Sequence, residues 1–330
     1  MATLAGIPIT SNGLGLMRMT MPTHLIPDEQ AFKVLKAALA AGANVWNGAD
    51  FYGLPTNNSL HLMNRYFTAY PEDASKVVFC LKTGVVDMRT FTMDSSPTYL
   101  RSAVESALKI LDGKKKIDIF GPARVDGKTP IEDSVAACAE LLKEGKIGGI
   151  QLSEVKAETI RRAAKVAKID MLEAEISLWS ADVFENGIAE ACAELGIVML
   201  AHTPLGAGML TGQIKSVEDM GNDYHQHFPR WQGENFQKNL QLVDELRKLA
   251  EKKGCTAAQL ALAWLKKDNG KEGHPWIVPI AGARTEARIK ENCVEVQLTD
   301  EELKEINAIL KNFPIVGERY PAAAAKHAEY

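Results

Sequence analysis

Val45-Trp-Asn-Gly-Ala-Asp-Phe-Tyr-Gly53 changes character halfway along, and the fold follows from how that change is read. Val45 and Trp46 end an apolar strand, whereas Asn47, Gly48, Ala49 and Asp50 are small or polar. A barrel strand delivers side chains to a loop at its C-terminal mouth in this way. Tyr52 is therefore expected at a rim and not in a core. A free phenol has a pKa of about 10 and needs help to donate a proton near neutrality. A nearby ammonium gives that help. The candidate is Lys82, which closes the next strand-like run, Val77-Val-Phe-Cys-Leu-Lys82. If the two strands are parallel neighbours, both side chains emerge at one mouth.

On either side the chain alternates in the same style. Thr10–Met19 carries Gly13 and Gly15, but Arg18 stands where the third glycine of a dinucleotide fingerprint would be, so the segment reads as a first barrel strand. Asp28 is read as the N-cap of a helix with Phe32, Leu35 and Leu39 at helical spacing, stopped at Gly42. Asn58–Tyr70 is a second helix, and Ser96-Pro97 opens a third with Leu100, Val104, Leu108 and Leu111 on its stripe. Ile117–Phe120 is a strand, after which Thr129-Pro-Ile-Glu132 reads as a capping box. Gly149–Ser153, Met171–Ile176, Ile197–Ala201 and Trp276–Pro279 complete the strands, with helices at Glu158–Val166, Asn186–Leu195 and Thr285–Asn292. Strand and helix alternate with short joints, which asks for a parallel sheet covered by helices. A count reaching eight favours an α/β chain closed into one (β/α)8 TIM barrel domain over residues 1–330. Ser216–Gly233 is longer than a joint requires, and such loops tend to be functional. Thr256-Ala-Ala-Gln259 and Thr299-Asp-Glu-Glu302 cap two further helices. Pro321–Tyr330 is alanine-rich without a core-forming pattern, and the tail from about residue 313 to 330 is expected either to be flexible or to cover the pocket.

Composition narrows the field. The 330 residues are 46% hydrophobic and 24% charged with a net charge of -4, so no basic surface points to nucleic acid. No apolar run reaches the ~18 residues of a membrane span. Five cysteines are scattered singly without metal spacing, and His225-x-His227 lacks a third ligand. The expectation is a cytoplasmic protein, a monomer or weak oligomer, with no metal, membrane or nucleic-acid partner.

The run at 45–53 resembles the aldo-keto reductase signature of an aromatic, Asp, Thr, Ala, an acidic residue, any residue, Tyr and Gly, with Asn47 and Gly48 at the Asp and Thr positions. The likeness extends from Gly13-Leu-Gly-Leu-Met-Arg18 to Asn292 and is closest to pyridoxal reductase-like members. It implies NADPH bound across the barrel mouth, Tyr52 as general acid, Lys82 as its partner, and Asn47 in place of the aspartate that pairs the lysine. Asn47 can accept from an ammonium without neutralising it, so Lys82 is expected to act with its full charge. The usual active-site histidine falls on Ala123, with Arg124 placed either near the site or on the surface. By the same resemblance Ser153 and Glu154 hold the nicotinamide carboxamide, with Glu173 where glutamine is usual. An ionised carboxylate there accepts but does not donate. His202 takes the position that stacks on the nicotinamide, Thr203 follows it in the family's order, and Leu205, Gly206 and Leu210 would line the pyrophosphate. Gly282-Ala-Arg-Thr-Glu-Ala-Arg288, closing with Glu291-Asn292, matches the C-terminal motif at an expected helix start. Arg284 and Arg288 then suit a 2′-phosphate and Asn292 the adenine. Trp179, Tyr224 and Trp231 would line the substrate pocket.

The implied reaction is hydride transfer from NADPH to an aldehyde or ketone, with reduction of pyridoxal to pyridoxine foremost. The phenol ortho to that aldehyde could polarise it and offset a missing histidine. The alternatives are a broad-specificity carbonyl reductase of secondary metabolism or detoxification, an NADPH-sensing regulatory subunit with little turnover, and a phosphate-binding barrel enzyme without nicotinamide.

Overall fold

The computed structural model describes residues 2–221 and 223–329. Eight parallel strands form its centre: β1 Gly13–Gly15, β2 Val45–Ala49, β3 Val78–Thr83, β4 Ile119–Pro122, β5 Gln151–Ser153, β6 Met171–Glu175, β7 Val198–His202 and β8 Ile277–Pro279. β1 to β4 pair in chain order, and so do β5 to β8. Parallel bridges Phe120–Ile150 and Gly15–Gly282 join the two halves into a closed ring, the (β/α)8 barrel that the strand count favours.

Around the ring, α1 Asp28–Ala40, α2 Ser59–Ala69, α3 Pro97–Leu111, α4 Ile131–Lys143, α5 Ala157–Ala164 and α6 Ile188–Leu195 follow β1 to β6 in turn. α7 Gly233–Lys253 and α8 Ala257–Lys266 precede β8, and α9 Glu286–Asn292 and α10 Asp300–Asn312 follow it. Successive strand residues point to opposite faces. Trp46, Phe79, Leu81, Phe120, Leu172 and Met199 therefore pack outward against the helices. Val45, Val78, Cys80, Ile119, Met171, Val198, Leu200 and Val278 fill the ring interior, plugged at one end by Leu4 and Ile9. Two residues beyond Val45, Cys80 and Met171 on that same interior face stand Asn47, Lys82 and Glu173. The layer above the apolar floor is polar.

Two expected caps are corrected. Asp28 is the first residue of α1, behind the N-cap Pro27, and its carboxylate takes Arg65 through both oxygens at 2.6 and 2.8 Å. Thr129 does not cap α4. Pro130 does, without a side-chain bond, because Asp126 collects the Lys128 and Thr129 amides at 2.8 and 2.7 Å and the Thr129 hydroxyl at 2.7 Å. Glu132 instead takes Arg162 at 2.8 Å. The capping boxes at Thr256 and Thr299 are present.

The longest helix, α7, has no counterpart among the sequence expectations, although Phe236, Leu242, Val243, Leu246, Leu249 and Ala250 are buried along it. Ser216–Gly233 is not an open loop: it winds into short 3-10 turns at Val217–Met220, Tyr224–His227 and Pro229–Trp231. The tail is docked. Arg319 and His327 are buried, and the Glu329 amide donates to the Glu154 carbonyl at 3.0 Å. Among the described residues no helix is long and apolar enough to cross a membrane.

Candidate active site

Lys82 sits in register with Ala49 of β2 and Gly121 of β4, pointing into the ring. Its Nζ donates to Asn47 Oδ1 at 2.5 Å and to Glu173 Oε2 at 2.8 Å, while Asn47 Nδ2 donates to that same Glu173 oxygen at 2.8 Å. All three side chains are buried. This corrects the expectation that Lys82 acts with an uncompensated charge. β2 and β6 face each other across an eight-strand ring, so a carboxylate on β6 reaches the position that an aspartate on β2 would serve. Burial works against the Lys82 charge, but the Glu173 carboxylate and the Tyr52 phenol together outweigh it and hold the ammonium above the ordinary lysine pKa. Burial likewise works against Glu173, and Lys82, with His202 and the Asn47 amide, overrides it to keep the carboxyl below its usual range.

Tyr52 follows β2 at the rim, half-buried, with its ring centroid 5.1 Å from Lys82 Nζ. The turn after it needs a glycine. Gly53 has φ +130°, and a Cβ there would fall 2.4 Å from the Asn57 carbonyl oxygen. Beside this turn lies a group that sequence reasoning passed over. Asp50 accepts from the Thr83 hydroxyl at 2.5 Å, and burial nevertheless pushes its pKa up to about 6.

At the ends of β5 to β7 a second polar cluster forms. Glu154 and Thr203, each directly after a strand, have φ of +55° and +50°, uncommon for residues other than glycine. Strained backbone of this type concentrates at functional sites. The Glu154 carboxylate is fully buried. It meets His202 Nε2 at 2.9 Å and accepts from the Glu175 amide at 2.8 Å and from Arg319 Nη2 at 2.6 Å. Despite burial, His202 and Arg319 hold its pKa far below the usual carboxylate range. His202 Nδ1 lies 3.1 Å from the Thr203 hydroxyl, so the ring is fixed through both nitrogens. The resemblance sets Glu154 and Glu173 against a nicotinamide carboxamide. Here both direct carboxylate oxygens to cations of the protein itself.

The aromatic residues divide. Trp179 and Trp231 are 1% and 2% exposed and pack on each other with centroids 5.8 Å apart, so they belong to the core and do not line an open pocket as expected. Shape explains this: Gly206, at φ +54°, lies directly against the Trp179 ring. Tyr224 stays exposed and stacks on His225 at 4.1 Å. His225 in turn sits 2.6 Å from Asp223, which also pairs with Arg18, whose side chain lies over Gly282.

Farther round, Gly206 and Leu210 belong to a 3-10 segment after β7, and Leu205 is its N-cap. Arg284 is exposed ahead of α9, and Arg288 binds Glu291 at 2.6 Å within it. Asn292 is 5% exposed, and neither its Nδ2 nor its Oδ1 has a partner. Buried amides are seldom left so. One donor and one acceptor fixed side by side suit the edge of an adenine, and cationic side chains beside them suit phosphate. These residues fit a nicotinamide adenine dinucleotide.

Comparison with known proteins points the same way. The model of the Aldo/keto reductase family matches residues 13–311. A protein of Schizosaccharomyces pombe named probable pyridoxal reductase 2 is 36% identical over 329 residues, covering 97% of each chain. A Saccharomyces cerevisiae protein, provisionally named a pyridoxal reductase, is 35% identical over 334 residues, covering 94% of this chain and 96% of its own. Among solved structures, a glycerol dehydrogenase of Gluconobacter oxydans superposes with a TM-score of 0.81 at 26% identity, covering 96% of both chains.

Proposed function

The chain belongs to the aldo/keto reductase family, and on that footing we propose that it reduces the carbonyl of a small molecule with NADPH, pyridoxal to pyridoxine foremost. The observation that carries this reading is the Tyr52 ring 5.1 Å from an ammonium that Asn47 and Glu173 hold in place. NADPH, when bound, supplies the hydride. Tyr52 donates its hydroxyl proton to the carbonyl oxygen as charge develops there, and Lys82 stabilises the phenolate that remains. General-acid help of this kind contributes roughly 10²- to 10⁴-fold in rate. Asn47 and Glu173 fix Lys82, so its charge needs no reorganisation during the reaction.

Binding falls to the rest of the rim. Ser153 offers its hydroxyl to the carboxamide and His202, fixed at both nitrogens, presents its ring to the nicotinamide. Thr203, Leu205, Gly206, Leu210 and Gly282 line the dinucleotide. Arg284 and Arg288 take the 2′-phosphate, Arg288 giving up Glu291, and Asn292 takes the adenine. Pyridoxal is favoured because two relatives at 36% and 35% identity bear that activity in their names. The test is loss of nicotinamide absorbance with the purified protein, NADPH and pyridoxal, run beside NADH and a panel of other aldehydes and ketones. Pyridoxal turned over best, with NADPH preferred, is the expected result. A protein that oxidises NADPH with no member of the panel would overturn the reading.

A further inference from the structure

Where the resemblance leads one to look for a histidine, β4 runs out at Pro122 and the buried Ala123 follows. The next side chain does not leave for solvent. Arg124 turns back across the strand ends, half-buried: Nη1 donates to the Ala123 carbonyl at 2.6 Å and to Ser153 Oγ at 3.2 Å, and Nη2 to the Tyr320 hydroxyl at 3.4 Å. The Tyr320 ring, brought in by the tail, lies 6.0 Å from the guanidinium.

Of the cations at these strand ends, Lys82 has Glu173 in contact and Arg319 has Glu154. Arg124 has neutral oxygens only, and among the described residues no carboxylate lies within ion-pair reach of it. Burial opposes its charge, yet the summed field of Tyr320, Glu154, Glu173 and Tyr52 keeps it protonated. Gly121, three residues before Arg124, is in register with Lys82, whose Nζ lies 5.1 Å from the Tyr52 ring, so the guanidinium and the proposed proton donor share the mouth. A guanidinium carries five N–H donors, and the three bonds named leave Nε–H and one Nη2 hydrogen. A half-buried cation without an anion is an unfavourable arrangement that a ligand can relieve. Ser153 Oγ keeps its own hydrogen while accepting from Arg124, so that contact does not prevent it from donating to a carboxamide.

We propose that Arg124 anchors an anionic oxygen carried by the substrate next to its reacting carbonyl, which makes ortho-hydroxyaryl aldehydes the preferred substrate class. The assignment rests on the carbonyl-reductase reading above and adds a residue to it. Charge-assisted hydrogen bonds from arginine are about twice as strong as neutral ones and hold planar geometry. An ortho oxyanion held there also fixes the aldehyde beside it.

Matched aldehydes test this: salicylaldehyde against benzaldehyde, and pyridoxal against pyridine-4-carboxaldehyde, with wild type, Arg124→Met and Arg124→Lys. The methionine variant should lose about 30-fold or more in kcat/KM on the ortho-hydroxy member of each pair and less than about 3-fold on the other. The lysine variant, which keeps the charge, should retain part of the preference. Binding of salicylate and of benzyl alcohol, read by tryptophan fluorescence without cofactor, gives a second readout. Arg124→Met should weaken the first only. Equal losses within each pair, or unchanged salicylate binding in the methionine variant, would overturn the role of Arg124. A wild-type protein that reduces no aldehyde would overturn the carbonyl-reductase reading instead, while the salicylate titration would still decide Arg124.

Discussion

Lys82 is the residue on which the site turns, and its surroundings differ from a simple transfer of the family pattern. Asn47, Lys82 and Glu173 are each visible in the sequence, but no spacing shows that β2 and β6 face each other, so their meeting is read only from the ring. Glu173→Gln should leave Lys82 buried without its carboxylate, which destabilises a protein by about 3–5 kcal/mol. The double variant Asn47→Asp/Glu173→Gln returns the charge to β2 and should recover most of that loss in denaturant unfolding. A double variant no more stable than Glu173→Gln would show that the pair is not the stabilising contact. Asp50 gives a prediction of opposite sign. Its carboxyl titrates at about 6 in the fold against 3.8 unperturbed, so between those values the folded state holds a proton that the unfolded chain has released. Stability from this group is greatest below about pH 4 and falls as pH rises through about 6. Asp50→Asn should remove this dependence and gain on the order of 2 kcal/mol over wild type at pH 7.5, with little gain at pH 4. A stability difference that does not change with pH would contradict it.

Elements were legible where local chemistry is strong. Ser96-Pro97, Thr256 and Thr299 mark helix starts that the structure keeps, because a hydroxyl accepting from an amide three residues on is a local bond. Thr129 misleads because Asp126, with two oxygens and a charge, competes for the same turn. α7 is harder to read: its buried stripe lies among charged residues, and its N-cap, Gln232, makes no side-chain capping bond. The tail docks through Arg319 on Glu154 and the Glu329 backbone, contacts that leave no periodic trace in sequence. α9 carries the cofactor prediction. Arg288 now spends its charge on Glu291, an exchangeable partner on its own helix. Arg288→Ala should weaken NADPH by about 10-fold or more, as loss of a charge-assisted contact does, and leave NADH within about 2-fold. Equal weakening of both by equilibrium titration would remove Arg288 from the 2′-phosphate.

At the scale of the molecule, the barrel is what turns residues scattered over β2, β3, β5, β6 and β7 into one site, and its closure is narrowly constructed. The β4–β5 seam has little strand pairing, and a Cβ at Gly121 would fall 2.0 Å from the Gln151 carbonyl oxygen. Overpacking commonly costs about 1–3 kcal/mol, but here the obstacle is backbone. Gly121→Ala should therefore lose at least about 3 kcal/mol or fail to fold, whereas thermal unfolding like that of wild type would mean the seam yields. The closed ring was legible from the alternation of elements, while the division of charge inside it was not. Everything proposed for the chemistry depends on the ring setting the Tyr52 hydroxyl, with the Lys82 ammonium beside its ring, at the reacting carbonyl. The most direct measurement is steady-state reduction of pyridoxal by Tyr52→Phe, with NADPH affinity titrated on the same preparation. Turnover reduced by about 100-fold or more, with NADPH affinity within about 3-fold of wild type, is the predicted result. Turnover close to that of wild type would contradict the account.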